Sequence, residues 1–268
     1  LIAAFYGLVL LTLWPCRHAG LRWCFRIGRV VACGAMVFVP FRPGVLRPAF
    51  GGAGQTRVTL LAVGAGQCAV VEPPSGRVLL IDAGSSSLSD LVPKCLGPFL
   101  RERRRTSVDS IFLSHSNYDH FGAAAEVTEA YGVREVLTAE SFVREAAGNA
   151  SAEHLLESLN QLHRPPRLLT PGERIPLGRD TSLEVLWPPP DPQHKLSEND
   201  SSLVVRLNHA GRSILFTGDI EAAAMRGLVK DPARLHCDVL VAPHHGSSET
   251  TTAAFLEAVH PATIVSSN

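Results

Sequence analysis

Four short, largely apolar segments of this chain are each followed closely by an aspartate or a histidine. The segments are Val78–Ile81, Val108–Leu113, Ile214–Phe216 and Val239–Ala242, and the polar residues that follow them are Asp82, His115, Asp219 and His244. An unpaired carboxylate or imidazole at the end of a buried strand would cost several kcal/mol. Strand ends that meet at one edge of a packed sheet are also where binding sites are built. The pattern therefore predicts an α/β fold with a polar site at a sheet edge.

The densest group of such side chains lies in Leu113-Ser-His-Ser-Asn-Tyr-Asp-His120. Imidazole nitrogens and carboxylate oxygens are the ordinary protein ligands of divalent metals. The close spacing lets one loop place several ligands around one or two ions, which we expect to be Mn, Mg or Zn. The predicted metal ligands are His115, Asn117, Asp119, His120, Asp219 and His244.

Two histidines stand side by side after the last of the four segments, in Ala242-Pro-His-His-Gly246. Two consecutive side chains do not easily reach the same ion, so the sequence favours one of them as a ligand. We predict His244, because it directly follows the strand and Pro243, and we assign His245 to a ligand-orienting or substrate-contacting role. Asp82 is interpreted as an acid that fixes the ligands or their loop.

The composition is balanced, with 25 Lys and Arg against 25 Asp and Glu. A formal net charge of zero gives no global field for nucleic acid, so any contact with DNA has to be local. The six cysteines include no Cys-x-x-Cys pair and no zinc-finger spacing.

The first fifty residues differ from the rest of the chain. Residues 1–14 and 30–41 are apolar, and the segment between them carries Arg17, Arg22, Arg26 and Arg29 without an acid. The first run begins without Met and is shorter than the roughly 20 residues of a membrane span, so we expect a piece of a longer protein. We interpret residues 1–41 as the end of a membrane region and the Gly- and Pro-rich residues 42–55 as a linker. A signal peptide or a buried helix pair is the alternative.

The remaining residues predict alternating strands and helices. A β-hairpin is expected over residues 57–71 and 77–81, and helices over 88–105, 123–131, 151–163, 221–229 and 251–259. Further strands are expected over 108–113, 133–138, 183–187, 202–207, 213–217 and 239–242, with a strand-like segment at 263–266. Strands in two sets with flanking helices fit a four-layer αββα sandwich.

Residues 58–268 resemble the metallo-β-lactamase superfamily, and most of all the C-terminal domain of the ComEC/Rec2 competence proteins. The similarity is carried by six motifs in the order of the family: Val58–Ala69, Leu80–Gly84, Leu113–Gly122, Asn199–Leu203, Phe216–Glu221 and Ala242–Ser247. It implies a metallo-β-lactamase αββα sandwich over residues 56–268, preceded by transmembrane helical segments. It also implies that the domain would continue beyond Asn268, with a further strand or helix.

The chain departs from the family pattern at several positions. Ala62, Ala65 and Gln67 replace the two acids and the glutamine of the family's opening strand, and Asn117 stands where relatives carry His or Asp. An amide oxygen is a weak, neutral ligand that suits Mg or Mn better than Zn. The family's mid-domain histidine ligand has no clear match. Its region holds Asn199, Asp200 and Ser202, which we expect to fix ligands or loops.

The resemblance implies a metal-dependent phosphodiesterase that hydrolyses DNA during import through a membrane channel. Hydroxide near Asp119 would attack phosphorus, and a histidine such as His245 would offset charge on the phosphoryl oxygens. The implied partners are DNA, the membrane and other competence proteins. The chain is expected in the inner (plasma) membrane, with the domain outside, because the Arg-rich loop favours the cytoplasm. The alternatives are a hydrolase for another phosphodiester, such as a phosphocholine ester, and a catalytically weak domain that gates or scaffolds a DNA channel.

Overall fold

The computed structural model describes residues 54–190, 195–247 and 251–267. All of these belong to the unit Phe50–Asn268. The predicted membrane region 1–41 and nearly all of the linker 42–55 lie outside the described residues. Within the described ranges, none of the helices has the length and apolar character needed to cross a membrane.

The first sheet has six strands that follow each other in chain order. The strands are β1 (Arg57–Leu60), β2 (Ala69–Glu72), β3 (Leu79–Ile81), β4 (Ser110–Phe112), β5 (Glu135–Ala139) and β6 (Arg167–Leu169). The first three are antiparallel, and β3 to β6 are parallel. Parallel neighbours need long crossover connections, and most of the helices of this half are found in those connections.

The second sheet also has six strands, again in an unbroken order. They are β7 (Arg174–Gly178), β8 (Thr181–Trp187), β9 (Val204–His209), β10 (Arg212–Phe216), β11 (Val239–Val241) and β12 (Thr263–Val265). Strands β7 to β10 are antiparallel, whereas β10, β11 and β12 are parallel. Both sheets therefore change from antiparallel to parallel pairing along their length.

Seven α-helices lie between these strands in the described residues. They are α1 (Gly97–Glu102, directly after a π-helical turn at Val92–Leu96), α2 (Tyr118–Phe121), α3 (Ala124–Tyr131), α4 (Glu140–Ala146), α5 (Ala150–Gln161), α6 (Ala222–Leu228) and α7 (Ala253–Val259). The short helix α2 carries Asp119 and His120, so the dense motif of the sequence runs from the end of β4 through a short loop into a helix.

The central strands β2 to β5 of the first sheet are buried on both faces, and the described residues form three apolar cores. In β3, Leu79 and Ile81 face the core between the sheets, while Leu80 points to the outer core beneath α1, α3 and α5. The second sheet packs its other face against α6 and α7. This alternation follows from the two-residue period of a strand. The layers are helix, sheet, sheet and helix, which confirms the predicted αββα sandwich.

The parallel pairs bring the four polar strand ends to one edge. Ile81 pairs with Phe112 at the ends of β3 and β4, and Leu215 pairs with Leu240 near the ends of β10 and β11. Asp82, His115, Asp219 and the two histidines at 244 and 245 follow these ends. Parallel strands end on the same side of a sheet, so the polar residues converge without a long loop.

Candidate metal centre

Five of the polar side chains form two overlapping groups at this edge. Ligand atoms of His115, His120 and Asp219 all lie within 4.8 Å of one another, and so do those of Asp119, His120 and His245. Four of these five residues are among the predicted metal ligands, and His245 is the predicted catalytic histidine. His120 belongs to both groups.

His120 is held in place by Asp82, whose side chain is completely buried. The Nδ1 atom of His120 lies 2.8 Å from Asp82 Oδ2. Asp82 also accepts hydrogen bonds from the backbone nitrogen of Ser114 at 2.7 Å, the Ser114 hydroxyl at 2.8 Å and Gln67 Nε2 at 3.0 Å. This network fixes the ring so that its other nitrogen, Nε2, faces the cluster, as carboxylates do for metal-bound histidines.

The Nε2 atom of His120 is close to several potential ligand atoms. It lies 3.2 Å from Asp219 Oδ1, 3.4 Å from His245 Nε2 and 4.0 Å from Asp119 Oδ2. Burial alone lowers the pKa of His120, but the carboxylates of Asp82 and Asp219 outweigh it and raise the pKa to about 10. In the ion-free protein a proton on His120 therefore offsets part of the negative charge of the two aspartates.

Asp219 is nearly buried beside these rings. Burial by itself raises the pKa of Asp219, but the hydrogen bond and charge of His120, with smaller contributions from His115 and His245, hold the pKa well below its usual range. Its Oδ2 atom lies 3.5 Å from His245 Nε2. Asp219 is thus an ionised carboxylate with one oxygen toward each of two histidines.

His115 brings a neutral imidazole to the cluster. Burial and the charge of His120 lower the pKa of His115 to about 3. Its Nδ1 atom lies 2.9 Å from the Ser114 hydroxyl, while its Nε2 atom is buried without a hydrogen-bond partner. A buried ring nitrogen without a partner is costly.

The two adjacent histidines have different surroundings. His245 Nδ1 lies 2.9 Å from the Ser267 hydroxyl, which leaves Nε2 facing Asp119 at 3.5 Å. His244 is in neither of the two groups, and its Nδ1 atom lies 3.9 Å from Glu221 Oε1. Both residues have positive φ, 49° and 55°, so the chain turns sharply here. The turn directs the second histidine of the pair into the cluster, whereas the sequence favoured the first.

Asn117 takes part in a row of amide hydrogen bonds beside the cluster. Its Nδ2 atom donates to Asn199 Oδ1 at 3.0 Å, and Asn199 Nδ2 donates to Glu221 Oε1 at 3.0 Å. Asn117 is in neither candidate metal group, which are made of His and Asp side chains. The row connects the motif loop after β4 to the start of α6.

Asp200 and Ser202 hold the loops around Asp219. Asp200 Oδ1 accepts hydrogen bonds from the backbone nitrogens of Glu221 and Ala224, and so caps the first turn of α6. The Ser202 hydroxyl donates to Asn199 O and accepts from the Asp219 backbone nitrogen at 3.2 Å. These contacts have the loop-fixing form that the sequence predicted for this region.

Four further residues of the site were not among the sequence candidates: Ser114, Gln67, Ser267 and Glu221. Ser114 contacts Asp82, His115 and His120 at once. Its position directly before His115 was the only available signal. Ser267 lies at the opposite end of the domain sequence, so only the parallel pairing of β11 and β12 brings it to the site.

The donor set fits a divalent metal. Three imidazoles and two carboxylates converge, and one of the histidines is fixed by a buried carboxylate. Nitrogen and oxygen donors of this kind suit Zn, Mn and related ions.

A family model described as metallo-β-lactamase superfamily matches residues 61–266. The chain belongs to this superfamily. Its members typically bind divalent metal, most often zinc, and membership indicates a metal-dependent hydrolase. The match covers both sheets from the residue after β1 to the residue after β12.

The similarity to ComEC/Rec2 proteins is confirmed by curated relatives. ComE operon protein 3 of Bacillus subtilis (strain 168) is 28% identical over 222 residues, which cover 78% of this chain and 28% of that protein. Competence protein ComA of Neisseria gonorrhoeae is 26% identical over 235 residues, which cover 86% of this chain and 29% of that protein. The chain therefore spans less than a third of the length of these relatives.

A solved structure supports the fold. A mutant metallo-β-lactamase from Cronobacter sakazakii matches with a TM-score of 0.50 and 17% identity, covering 76% of this chain and 89% of that one. At this identity the likeness shows the shared sandwich alone.

Proposed function

We propose that residues 56–268 form a metal-dependent phosphodiesterase domain that hydrolyses DNA during its uptake by a competence system. The convergence of Asp119, His120 and His245, where strands of both sheets end, carries the proposal. The choice of DNA is supported by the relatives, one of which is named a competence protein. Zero net charge means that DNA would be held by local contacts around the site.

A divalent ion bound here would lower the pKa of a water molecule and offset negative charge on the phosphoryl oxygens. Asp119 is the most exposed carboxylate of the cluster, with a quarter of its side chain accessible. Burial raises its pKa, but the hydrogen bond from His245 and the charge of His120 lower the pKa overall. An ionised, accessible Asp119 is suited to orient an attacking water by accepting its hydrogen bond.

We assign the ligand role to His245 in place of His244. The Ser267 hydroxyl holds the His245 ring with Nε2 toward Asp119 and Asp219. His244 is more exposed and lies toward Glu221, outside the cluster. In this arrangement His244 is available to contact the substrate, and the predicted roles of the two histidines are exchanged.

A cleavage assay with the purified full chain tests the proposal. The protein would be freed of metal with a chelator and mixed with linear DNA, with and without Mn²⁺. We expect cleavage only with the ion, and a loss of about 100-fold or more for Asp119→Asn. Asp180→Asn removes an exposed acid in the turn between β7 and β8 and should cleave like the parent. Cleavage that survives chelation, or an Asp119→Asn variant with full activity, would contradict the proposal.

A further inference from the structure

The two candidate metal groups share one residue, His120. The other ring nitrogen of His120 is engaged by Asp82 at 2.8 Å, so Nε2 is the atom that remains for a ligand bond. One nitrogen lone pair binds one ion. The two groups of three therefore cannot both be complete at the same time.

The group that contains Asp119, His120 and His245 has the dimensions of a single-ion site. Its atoms are separated by 3.4 Å between the two Nε2 atoms, 3.5 Å between His245 and Asp119, and 4.0 Å between His120 and Asp119. Ligands about 2.0–2.2 Å from a tetrahedral ion lie about 3.3–3.6 Å from each other. Asp219 is 3.2 Å from His120 and 3.5 Å from His245, and so offers a fourth ligand.

The side of His120 that faces His115 offers fewer metal ligands. Without His120, only His115 and Asp219 remain of the other group, and no third His, Cys, Asp or Glu among the described residues completes it. The motif loop supplies Asn117 next to His115. Its neutral amide is tied to Asn199, which in turn is tied to Glu221. His115 and Asp219, together with an Asn117 amide that is already hydrogen-bonded elsewhere, would bind a divalent ion only weakly.

We propose that the site retains one ion, bound by Asp119, His120, His245 and Asp219, and that Asn117 is the residue that keeps the His115 side from retaining a second. This inference rests on the proposed metal-dependent function and specifies its ion count. Asn117→Asp puts a charged oxygen on a side chain of nearly the same shape, two residues after His115 in the same loop, and should create a second site of measurable affinity.

Metal stoichiometry tests the proposal directly. The full chain would be dialysed against micromolar Mn²⁺ after chelation, and bound ions counted by mass spectrometry. We expect one ion per chain for the parent and two for Asn117→Asp. Asn160→Asp is the matched control, because it adds the same charge at an exposed position of α5. Asn149, at the start of this helix, donates a hydrogen bond to the motif loop. Asn160 lies 11 residues, or about 16 Å, further along the helix axis. The control should bind one ion.

Two ions in the parent would overturn the inference and leave a metal-dependent hydrolase intact. One ion in Asn117→Asp would also overturn it, since Asn117 would not be the limiting residue. A parent that retains no ion would instead contradict the proposed function. The counts therefore separate the two proposals.

Two further measurements do not depend on the Asn117 variant. His115→Gln should keep the affinity for the ion within about threefold, whereas His245→Gln should lower it about 100-fold or more, with folding of both checked by thermal unfolding. Equal losses would overturn the inference. The Mn²⁺-loaded parent should also give the electron paramagnetic resonance spectrum of an isolated ion, because two ions about 3.5–4 Å apart would be magnetically coupled. A coupled spectrum would overturn it as well.

Discussion

Asp82 is the residue on which the geometry of the cluster depends most. It is completely buried, has a left-handed backbone conformation with φ of 60°, and accepts hydrogen bonds from four groups around it. A buried carboxylate is tolerated when its oxygens are satisfied in this way. The residue stabilises the fold and orients His120 through the same contacts.

Replacing Asp82 with asparagine should therefore weaken both properties. The amide nitrogen of asparagine would face a hydrogen-bond donor at a place where the carboxylate oxygen accepts a hydrogen bond. We therefore expect a loss of about 2–4 kcal/mol in the free energy of unfolding. Metal affinity should fall by about 10–100-fold. Urea denaturation and metal titration would measure the two losses. The control Asp180→Asn, at an exposed turn, should change the free energy of unfolding by less than about 0.5 kcal/mol. A similarly small change in Asp82→Asn would show that Asp82 does not stabilise the fold.

The raised pKa of His120 predicts how the ion-free protein responds to pH. A histidine whose pKa rises on folding stabilises the native state fully below its unfolded value of about 6.5. That contribution is lost progressively as the pH rises to about 10. In the presence of a chelator, the urea midpoint should therefore fall between pH 6.5 and pH 7.5, about one unit below the ordinary pKa of a thiol. The fall should be smaller in His120→Gln, and an equal fall would show that another group causes it.

Much of the site was predictable at the scale of single residues, because metal-binding side chains crowd into one motif and follow apolar strands. His115, Asp119, His120 and Asp219 all reach the cluster for that reason. The choice between His244 and His245 was not predictable. It depends on two consecutive left-handed backbone conformations, which non-glycine residues adopt only in a specific tertiary context.

At the scale of elements, the loop after β3 and the start of α2 are fitted against each other. The backbone nitrogen of Ala83 donates to His120 O at 2.8 Å, and that of Gln67 donates to Asp119 O at 3.1 Å. A Cβ atom on Gly84 would lie 2.5–2.6 Å from backbone atoms of Asp119 and His120. The position of both side chains therefore depends on a glycine in the neighbouring loop.

Gly84→Ala should displace the start of α2. Because the atoms in its way are backbone, we expect a loss of about 1–3 kcal/mol in stability together with weaker metal binding. Gly211→Ala provides the comparison, since it also adds a methyl group but meets nothing within 4 Å and carries only the strain of a φ of 79°. Metal titration should show weakened binding for Gly84→Ala alone. Unchanged metal affinity in Gly84→Ala would mean that the loop after β3 can move to accommodate the added methyl group.

Regular elements were predictable where their pattern was long or strongly apolar. The helices expected at 123–131 and 151–163 are observed as α3 and α5, and most of the expected strands are observed. The elements α2, α4, β6 and β7 were not predicted from the sequence. Strand β6 has three residues, two of them exposed, and β7 contains Pro176 and Gly178, which usually interrupt strands. Pairing with neighbouring strands, which is a tertiary effect, stabilises these elements.

At the scale of the whole molecule, the site is built from residues of both sheets. The motif loop comes from the first sheet, whereas Asp219 and His245 come from the second. The sandwich was predictable from the two sets of strands and from the family motifs. The strand order was not, because it depends on which strands pair rather than on the pattern within any one of them.

The membrane topology of the whole chain, as predicted from its sequence, can be tested in cells. The positive charge of the loop predicts that residues 17–29 lie in the cytoplasm and the domain outside. In a chain without native cysteines, Ser86→Cys introduces one thiol at an exposed position. We expect a membrane-impermeant thiol reagent to label it in intact cells. Labelling only after lysis would place the domain in the cytoplasm and weaken the proposed role in DNA uptake.

The central claim is that a metal ion binds where the two sheets bring their polar strand ends together. Anomalous X-ray scattering from crystals soaked in Mn²⁺ tests it most directly, because the signal locates the ion itself. We predict a peak within about 2.0–2.4 Å of Asp119, His120 and His245, and its loss in Asp119→Asn crystals. A peak elsewhere, or no peak at saturating Mn²⁺, would contradict the claim.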